Sequence, residues 1–286
     1  MDRRIVRLYD EFTHGTMPRR QFLGRLARIA GGAAAASAML PLLENHYADA
    51  AIVAEDDPSI MVGRERFDGP AGPVNAYVTW PRESPQRRAA VVVIHENRGL
   101  NPHIEDVARR LASAGFAAIA PDALSGFGGT PANEDEARKL IGELDRETAL
   151  GIYLAAVRHA AKHPHGHGQV GCVGFCWGGG MAGRLAAHSP DLDAAVVFYG
   201  MPPSAEEAAR VRVPVMMHYA GRDERINAAV PAFDAALRSA GARFEMHMYP
   251  DMEHAFHNDT NAARYNETAA KLAWRRTVEF LARELA

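Results

Sequence analysis

From residue 74 onward the hydrophobic positions switch repeatedly between a period of two and a period near 3.6. Residues 74–80 read as a first strand, and 89–95, running Ala-Ala-Val-Val-Val-Ile-His, form a continuous apolar run of the kind that suits a strand covered on both faces. The pattern then predicts a helix over 104–114, a strand over 116–120, helices across 134–162, a strand over 170–175 and a helix over 178–187. It continues with a strand at 194–199, a short helix near Glu206, a strand at 213–220, a helix at 229–240, a strand at 244–249 and a last helix over 262–285. Strand–helix alternation with buried strands predicts an α/β fold, a doubly wound, mostly parallel sheet flanked by helices. No repeat or change of composition divides residues 72–286, which therefore read as one domain. Residues 51–71, polar and punctuated by Pro and Gly, read as a linker. In an open sheet of this kind ligands bind beyond the carboxyl ends of the strands, so the residues that follow strands are the ones to inspect.

Residues 1–50 are different material. The stretch 29–43 is uncharged but too short for a membrane span, which needs roughly 20 apolar residues, so no stable span is expected. Before it come Pro18-Arg19-Arg20-Gln21-Phe22-Leu23, then Arg25 and Arg28; after it comes Ala48-Asp49-Ala50, a small-x-small cleavage pattern. This resembles a twin-arginine export signal, which carries folded proteins and predicts a periplasmic location. A leader containing Asp10 and Glu11 precedes it. The alternative is a retained N-terminal helix in a cytoplasmic protein, with Phe22, Leu26 and Ile29 on one face.

Charge and composition narrow the partners. The 286 residues carry 32 Lys+Arg against 35 Asp+Glu, a net charge of −3, so there is no basic excess to neutralise a nucleic acid backbone. Hydrophobic residues at 48% and charged residues at 23% exclude global disorder. The two cysteines, Cys172 and Cys176, stand four apart, which excludes a disulfide framework and leaves thiol chemistry open.

The sharpest local feature is Gly174-Phe175-Cys176-Trp177-Gly178-Gly179-Gly180, leaving a strand and entering a helix. It has the form of a nucleophile elbow with Cys in place of Ser; the flanking glycines let neighbouring backbones approach, and the helix N-terminus favours a thiolate. Cys172, inside the preceding strand, reads as a small buried filler. A nucleophile needs a base and the base an orienting acid, in the chain order nucleophile, acid, histidine. Asp223 follows the strand at 213–220, and His254 follows the last strand and is preferred to His257. Asp223 also suits a helix N-cap, which does not exclude the other role. The fourth strand end is His95-Glu96-Asn97-Arg98-Gly99. Backbone N–H groups of Asn97 and Trp177 are the expected oxyanion donors, and Glu96 brings a carboxylate near the thiol. His163, His165 and His167 alternate in a Pro/Gly turn, which reads better as a surface loop than as a metal site.

Together His-Glu-Asn-Arg-Gly-Leu, Gly-Phe-Cys-Trp-Gly-Gly, the Asp after Gly-Arg, and Glu-His-Ala-Phe resemble the dienelactone hydrolase family, carboxymethylenebutenolidase-like enzymes of the α/β-hydrolase fold. The resemblance spans about residues 60–286. It implies a Cys176–His254–Asp223 triad with Glu96 activating the thiol, and hydrolysis of a small-molecule lactone or ester without metal or organic cofactor. Where the family carries a substrate-pairing Arg after the catalytic His this sequence has Asn258, so Arg98 and Arg225 become the candidates to meet an anionic group, and Asn258 and His257 are further substrate-binding candidates. The same residues would serve a Cys-based carboxylesterase or thioesterase on a non-lactone substrate. A non-catalytic binding protein of this fold would keep the architecture without using the thiol.

Overall fold

The computed structural model describes residues 1–47, 51–83 and 88–286; the Ala48-Asp49-Ala50 pattern lies outside the described residues. The strands are β1 (Ile60–Gly69), β2 (Gly72–Pro81), β3 (Arg88–Ile94), β4 (Ala117–Pro121), β5 (Gly166–Phe175), β6 (Ala194–Phe198), β7 (Val215–Ala220) and β8 (Phe244–Tyr249). They form one sheet in the order β1-β2-β4-β3-β5-β6-β7-β8. β1 and β2 pair antiparallel, as do β2 and β4, and all other pairs are parallel, giving the α/β-hydrolase sheet.

Three N-terminal helices, α1 (Arg3–His14), α2 (Arg19–Ala30) and α3 (Ala33–Leu43), precede the sheet. Within it come α4 (Pro102–Ser113), α5 (Glu134–Glu143), α6 (Arg146–Ala161), α7 (Trp177–His188), α8 (Ala205–Ala208), α9 (Glu224–Asn227), α10 (Val230–Ser239) and α11 (Glu267–Glu284). The apolar run of β3 shows why the sheet needs two layers of helix. Ala90, Val92 and Ile94 pack with α6, α7 and α10, whereas Ala89, Val91 and Val93 pack with α4 and α11. Alternate side chains point to opposite faces, so a strand apolar at every position must be covered twice.

Register brings the functional strand ends to one edge. Ile94 pairs with Gly174, Phe175 with Phe198, Phe198 with His218 and Ala220 with Tyr249, so β3, β5, β6, β7 and β8 release their loops side by side.

Two elements depart from the pattern. β1 occupies residues read as linker: its apolar positions Ile60, Val62 and Phe67 are diluted by Arg64, Glu65 and Arg66, because an edge strand buries little and periodicity fades with burial. Residues 3–14, read as leader, are helical. Ile5, Leu8, Tyr9 and Phe12 make a stripe at helical spacing, capped by the Asp2 side chain.

That stripe packs with Phe22, Leu26, Ala36 and Leu43 in a core of its own, with Phe12 and Phe22 stacked at 4.5 Å between ring centroids. α2 and α3 are bent by 111° at Gly31-Gly32, and no single helix among the described residues is long and apolar enough to cross a membrane. The three helices are tied to the sheet domain. Asn97 Nδ2 donates to the Thr13 carbonyl at 2.8 Å, Asn261 Nδ2 to the Leu43 carbonyl at 2.6 Å, and Arg138 lies over the Phe12 ring at 4.2 Å. Leu26 is fully buried in this cluster, so Leu26→Ala is expected to lower the unfolding free energy in a urea titration by about 2–5 kcal/mol. An unchanged midpoint would mean that the three helices do not unfold with the rest.

Candidate active site

The elbow begins with a backbone constraint. Cys176 has φ 55° and ψ −113°, a conformation L residues rarely adopt, and its N–H donates to the Phe198 carbonyl at 3.0 Å. Glycine is required on both sides. A Cβ on Gly174 would stand 2.0 Å from the Gly178 carbonyl oxygen, and one on Gly178 would stand 2.4 Å from the carbonyls of Ile94 and His95. Tyr199 and Ala255, which face or flank the thiol, also have positive φ, at 39° and 63°. Strain collected at one spot is typical of sites where side-chain direction matters more than backbone comfort.

His254 and Asp223 meet as their strand-end positions predict. His254 Nδ1 lies 2.5 Å from Asp223 Oδ2, while Asp223 Oδ1 accepts the Ile226 N–H at 3.2 Å as the cap of α9. Asp223 thus holds the imidazole and caps a helix at once. Burial would push the Asp223 carboxyl up, but the His254 imidazolium beside it reverses the sign and leaves it lowered. His254 behaves inversely: burial would lower it, yet the Cys176 thiolate and the Asp223 carboxylate raise it to about 10. At Cys176 burial would raise the thiol, and the imidazolium charges of His14 and His254 outweigh it, bringing it down to about 5. At Cys172 burial outweighs a hydrogen bond with the Val196 backbone and pushes the thiol up to about 12.

The two amides expected as oxyanion donors sit on fixed backbone. The Trp177 amide opens α7, where an N–H has no intrahelical acceptor, and the Trp177 ring stacks on His95 at 5.3 Å. His95 accepts the Ala123 N–H at Nε2, so its Nδ1–H donates to the Glu96 carbonyl at 2.7 Å and fixes the loop that carries Asn97.

Other residues picked from the sequence lie elsewhere. Glu96 makes no hydrogen bond to Cys176: its Oε2 accepts from Asn258 Nδ2 at 2.8 Å, and its buried Oε1 has no partner. The expected Glu–thiol contact is absent because Asn258, fully buried, holds the carboxylate. Arg98 is turned into an ion pair with Glu134 at 2.8 Å and a hydrogen bond to Tyr9 Oη at 3.1 Å, away from the cavity. His257 is core, stacked on Phe175 at 5.3 Å, with burial holding its imidazole well below the ordinary range. Of the expected anion-binding residues, Arg225 lines the cavity. Among the alternating histidines, His163 pairs with Glu65 at 3.1 Å and His165 stacks on Trp80 at 4.4 Å, while His167 is exposed.

A cavity of about 480 Å³ opens over Cys176, walled by Ile141, Leu144, Met181 and Ile226. Its lining includes Arg138, Arg146, Arg184 and Arg225 and no carboxylate.

The sequence pattern of the Dienelactone hydrolase family matches residues 74–285. The chain belongs to this family. A protein of Escherichia coli K12 provisionally described as a carboxymethylenebutenolidase is 31% identical over 244 residues, covering 80% of this chain and 89% of the relative. A Saccharolobus solfataricus protein with the same provisional description is 31% identical over 76% of this chain and 96% of its own length. The crystal structure of a Klebsiella pneumoniae protein, provisionally a dienelactone hydrolase, superposes with a TM-score of 0.72 at 31% identity, covering 78% of this chain and 98% of that one. As a dienelactone hydrolase family member the chain is a hydrolase.

Residues that sequence reasoning missed come from outside the family match. Thr13 and His14, at the end of α1, line the cavity, and the donor atoms of His14, Cys176 and His254 lie within 4.8 Å of one another. Sulfur and two imidazoles could hold a soft divalent ion, but each ring is turned to a carboxylate, an arrangement of alternating charges. The available signal was Asp10-x-x-x-His14 on an amphipathic helix, which places the two side chains on one face. Titration with iodoacetamide should modify Cys176 alone, with a half-maximal rate near pH 5 and loss of reactivity below it. Mass spectrometry reads the site; a half-point near the ordinary thiol value of about 8.5 would contradict this electrostatic picture.

Proposed function

We propose that this hydrolase cleaves an ester or lactone carrying an anionic group, through a Cys176–His254–Asp223 triad and an acyl-thioester intermediate. What carries the reading is the convergence of three strand ends: a thiol on a strained elbow at a helix N-terminus, and beside it a buried imidazole held by a buried carboxylate. The thiolate attacks the carbonyl carbon, and the N–H groups of Asn97 and Trp177 stabilise the oxyanion, each worth roughly 3 kcal/mol of barrier. His254 then activates water to cleave the thioester, kept in the Nδ1–H tautomer by Asp223. The anionic preference rests on a cavity lining that holds four arginines and no carboxylate, with Arg225 in its wall and Arg146 at the exposed rim.

We further propose that residues 1–47 are a working part of the enzyme rather than a removable export signal, which fits the cytoplasmic alternative. Support comes from Arg19, one of the paired arginines, which is engaged by Glu44 at 3.1 Å and Asp135 at 2.9 Å, and from the buried faces of α1 and α2.

Two measurements test this. On a panel of lactones and p-nitrophenyl esters, kcat/KM should favour carboxylate-bearing substrates over neutral analogues by about tenfold or more. Cys176→Ala should lose at least about 10³-fold with its circular dichroism unchanged; retained turnover would remove the thiol from the chemistry. Separately, the intact mass of the protein recovered from cell fractions should be that of the 31.1 kDa chain in the cytoplasmic fraction. A shortened periplasmic form would favour export.

A further inference from the structure

The hydrogen-bond partner of the Cys176 thiol is not the triad imidazole. His14 Nε2 stands 3.1 Å from Sγ, whereas His254 Nε2 is buried and makes no hydrogen bond among the described residues. His14 closes α1, and Asp10 lies one turn earlier on the same face. Its Nδ1 is 3.1 Å from the Asp10 carbonyl, to which an Nδ1–H can donate, and 3.0 Å from the Asp10 Oδ1 charge, so in the imidazolium the Nε2–H faces the sulfur. The His14 side chain is 9% exposed, and its ring meets that of His254 edge-on with centroids 4.4 Å apart.

The groups around this pair are charged in alternation. Arg264 Nη1 approaches Asp10 at 3.8 Å from the segment before α11, and Arg225 Nε at 4.0 Å from α9. Cys176 faces His14 from the elbow, and His254 with Asp223 behind it faces His14 from the loop after β8. Burial alone would lower the His14 imidazole; the Cys176 thiolate and Asp10 raise it. The Asp10 carboxyl, which burial would raise, is drawn down by the imidazolium groups and Arg264.

We propose that Asp10 and His14 form a second, purely electrostatic dyad of the active site, in which His14 stays an imidazolium that holds Cys176 as a thiolate while His254 alone carries protons. This rests on Cys176 being the nucleophile. It also accounts for Glu96, which Asn258 holds off the thiol: the N-terminal helix supplies a second cationic partner to the sulfur where the carboxylate is held away.

The cycle balances with one mobile proton. The thiolate pair forms the S–C bond to the acyl carbon of RCOOR′ and the carbonyl π pair moves to oxygen. Collapse restores the carbonyl and breaks the C–O bond; the departing oxygen takes the proton from His254 Nε2 and leaves as R′OH. Water then attacks the thioester and gives its proton to the now neutral His254. The S–C bond breaks with its pair returning to Sγ, and the acid RCOOH is released. His14 gains and loses nothing, so the thiolate is regenerated against a standing positive charge.

The test uses the full chain with His14→Gln, which keeps a hydrogen-bond donor but cannot be an imidazolium, and the near-isosteric Asp10→Asn. In His14→Gln the pH midpoint of iodoacetamide alkylation of Cys176 should move up by at least one unit, and kcat/KM at pH 6 should fall tenfold or more and recover partly at high pH. Asp10→Asn should shift the midpoint in the same direction by less. In His14→Gly, added imidazole should restore activity at pH 6 in a saturable way, which a loss of packing alone would not permit. An alkylation midpoint and pH–rate profile identical to wild type in His14→Gln would overturn the second dyad. Failure of the nucleophile reading looks different: Cys176→Ala would then keep its hydrolysis whatever substitution stands at position 14.

Discussion

The turn from β5 into α7 is the constraint on which the rest of the site depends. A helix can start directly at the sheet edge only if its first turn lies against the backbones of β3 and β6. That contact leaves no space for a Cβ at Gly178, against the end of β3, or at Gly179, against the end of β6, and the helix's own first turn leaves none at Gly174. The result is a cysteine held at φ 55° with its amide bonded to the Phe198 carbonyl and its thiol raised above the sheet. Strain of this kind costs on the order of 1–3 kcal/mol and persists because the surrounding sheet over-determines it. With the elbow rigid, β7 and β8 need only to end in register for Asp223 and His254 to reach it.

Around that turn the protein buries several ionisable groups, and their order explains why this is tolerable. A single ion in such a place would cost several kcal/mol, but Asp223, His254, Cys176, His14 and Asp10 form a chain in which acidic and basic groups alternate. Each charge has an opposite charge as a neighbour, which outweighs burial and, at His14, the repulsion from the facing His254 ring. Glu96 is handled differently. It is given a neutral amide donor from Asn258 and keeps one oxygen without a partner.

The N-terminal helices shape the site from outside the conserved fold. Their own core of Ile5, Leu8, Tyr9, Phe12, Phe22, Leu26 and Leu43 makes them a rigid body. Bonds from Asn97 to Thr13 and from Arg98 to Tyr9 dock that body on the loop after β3. The docking consumes Arg98, which therefore cannot serve a substrate, and delivers His14, which therefore can touch the thiol.

The sheet, its helices, the elbow and the meeting of Asp223 with His254 were legible in the sequence because each is written in local spacing. A period of two or 3.6 reports which face is buried, Gly-x-Cys-x-Gly reports a turn too tight for side chains, and strand ends in chain order locate Asp223 and His254. β1 was not legible, since an edge strand exposing Arg64 and Arg66 has little periodicity to show. Asp10 and His14 share a helix face in the sequence, but nothing local says what that face meets: His14 and Cys176 lie 162 residues apart, and only the docking of α1 brings them together. The same holds for Arg98, His257 and Asn258, whose residue types suit a substrate site but whose surroundings put them in an ion pair, a packed core and a carboxylate clamp. Spacing determines which way a side chain points from its own element; what it touches is decided by how distant elements pack against each other.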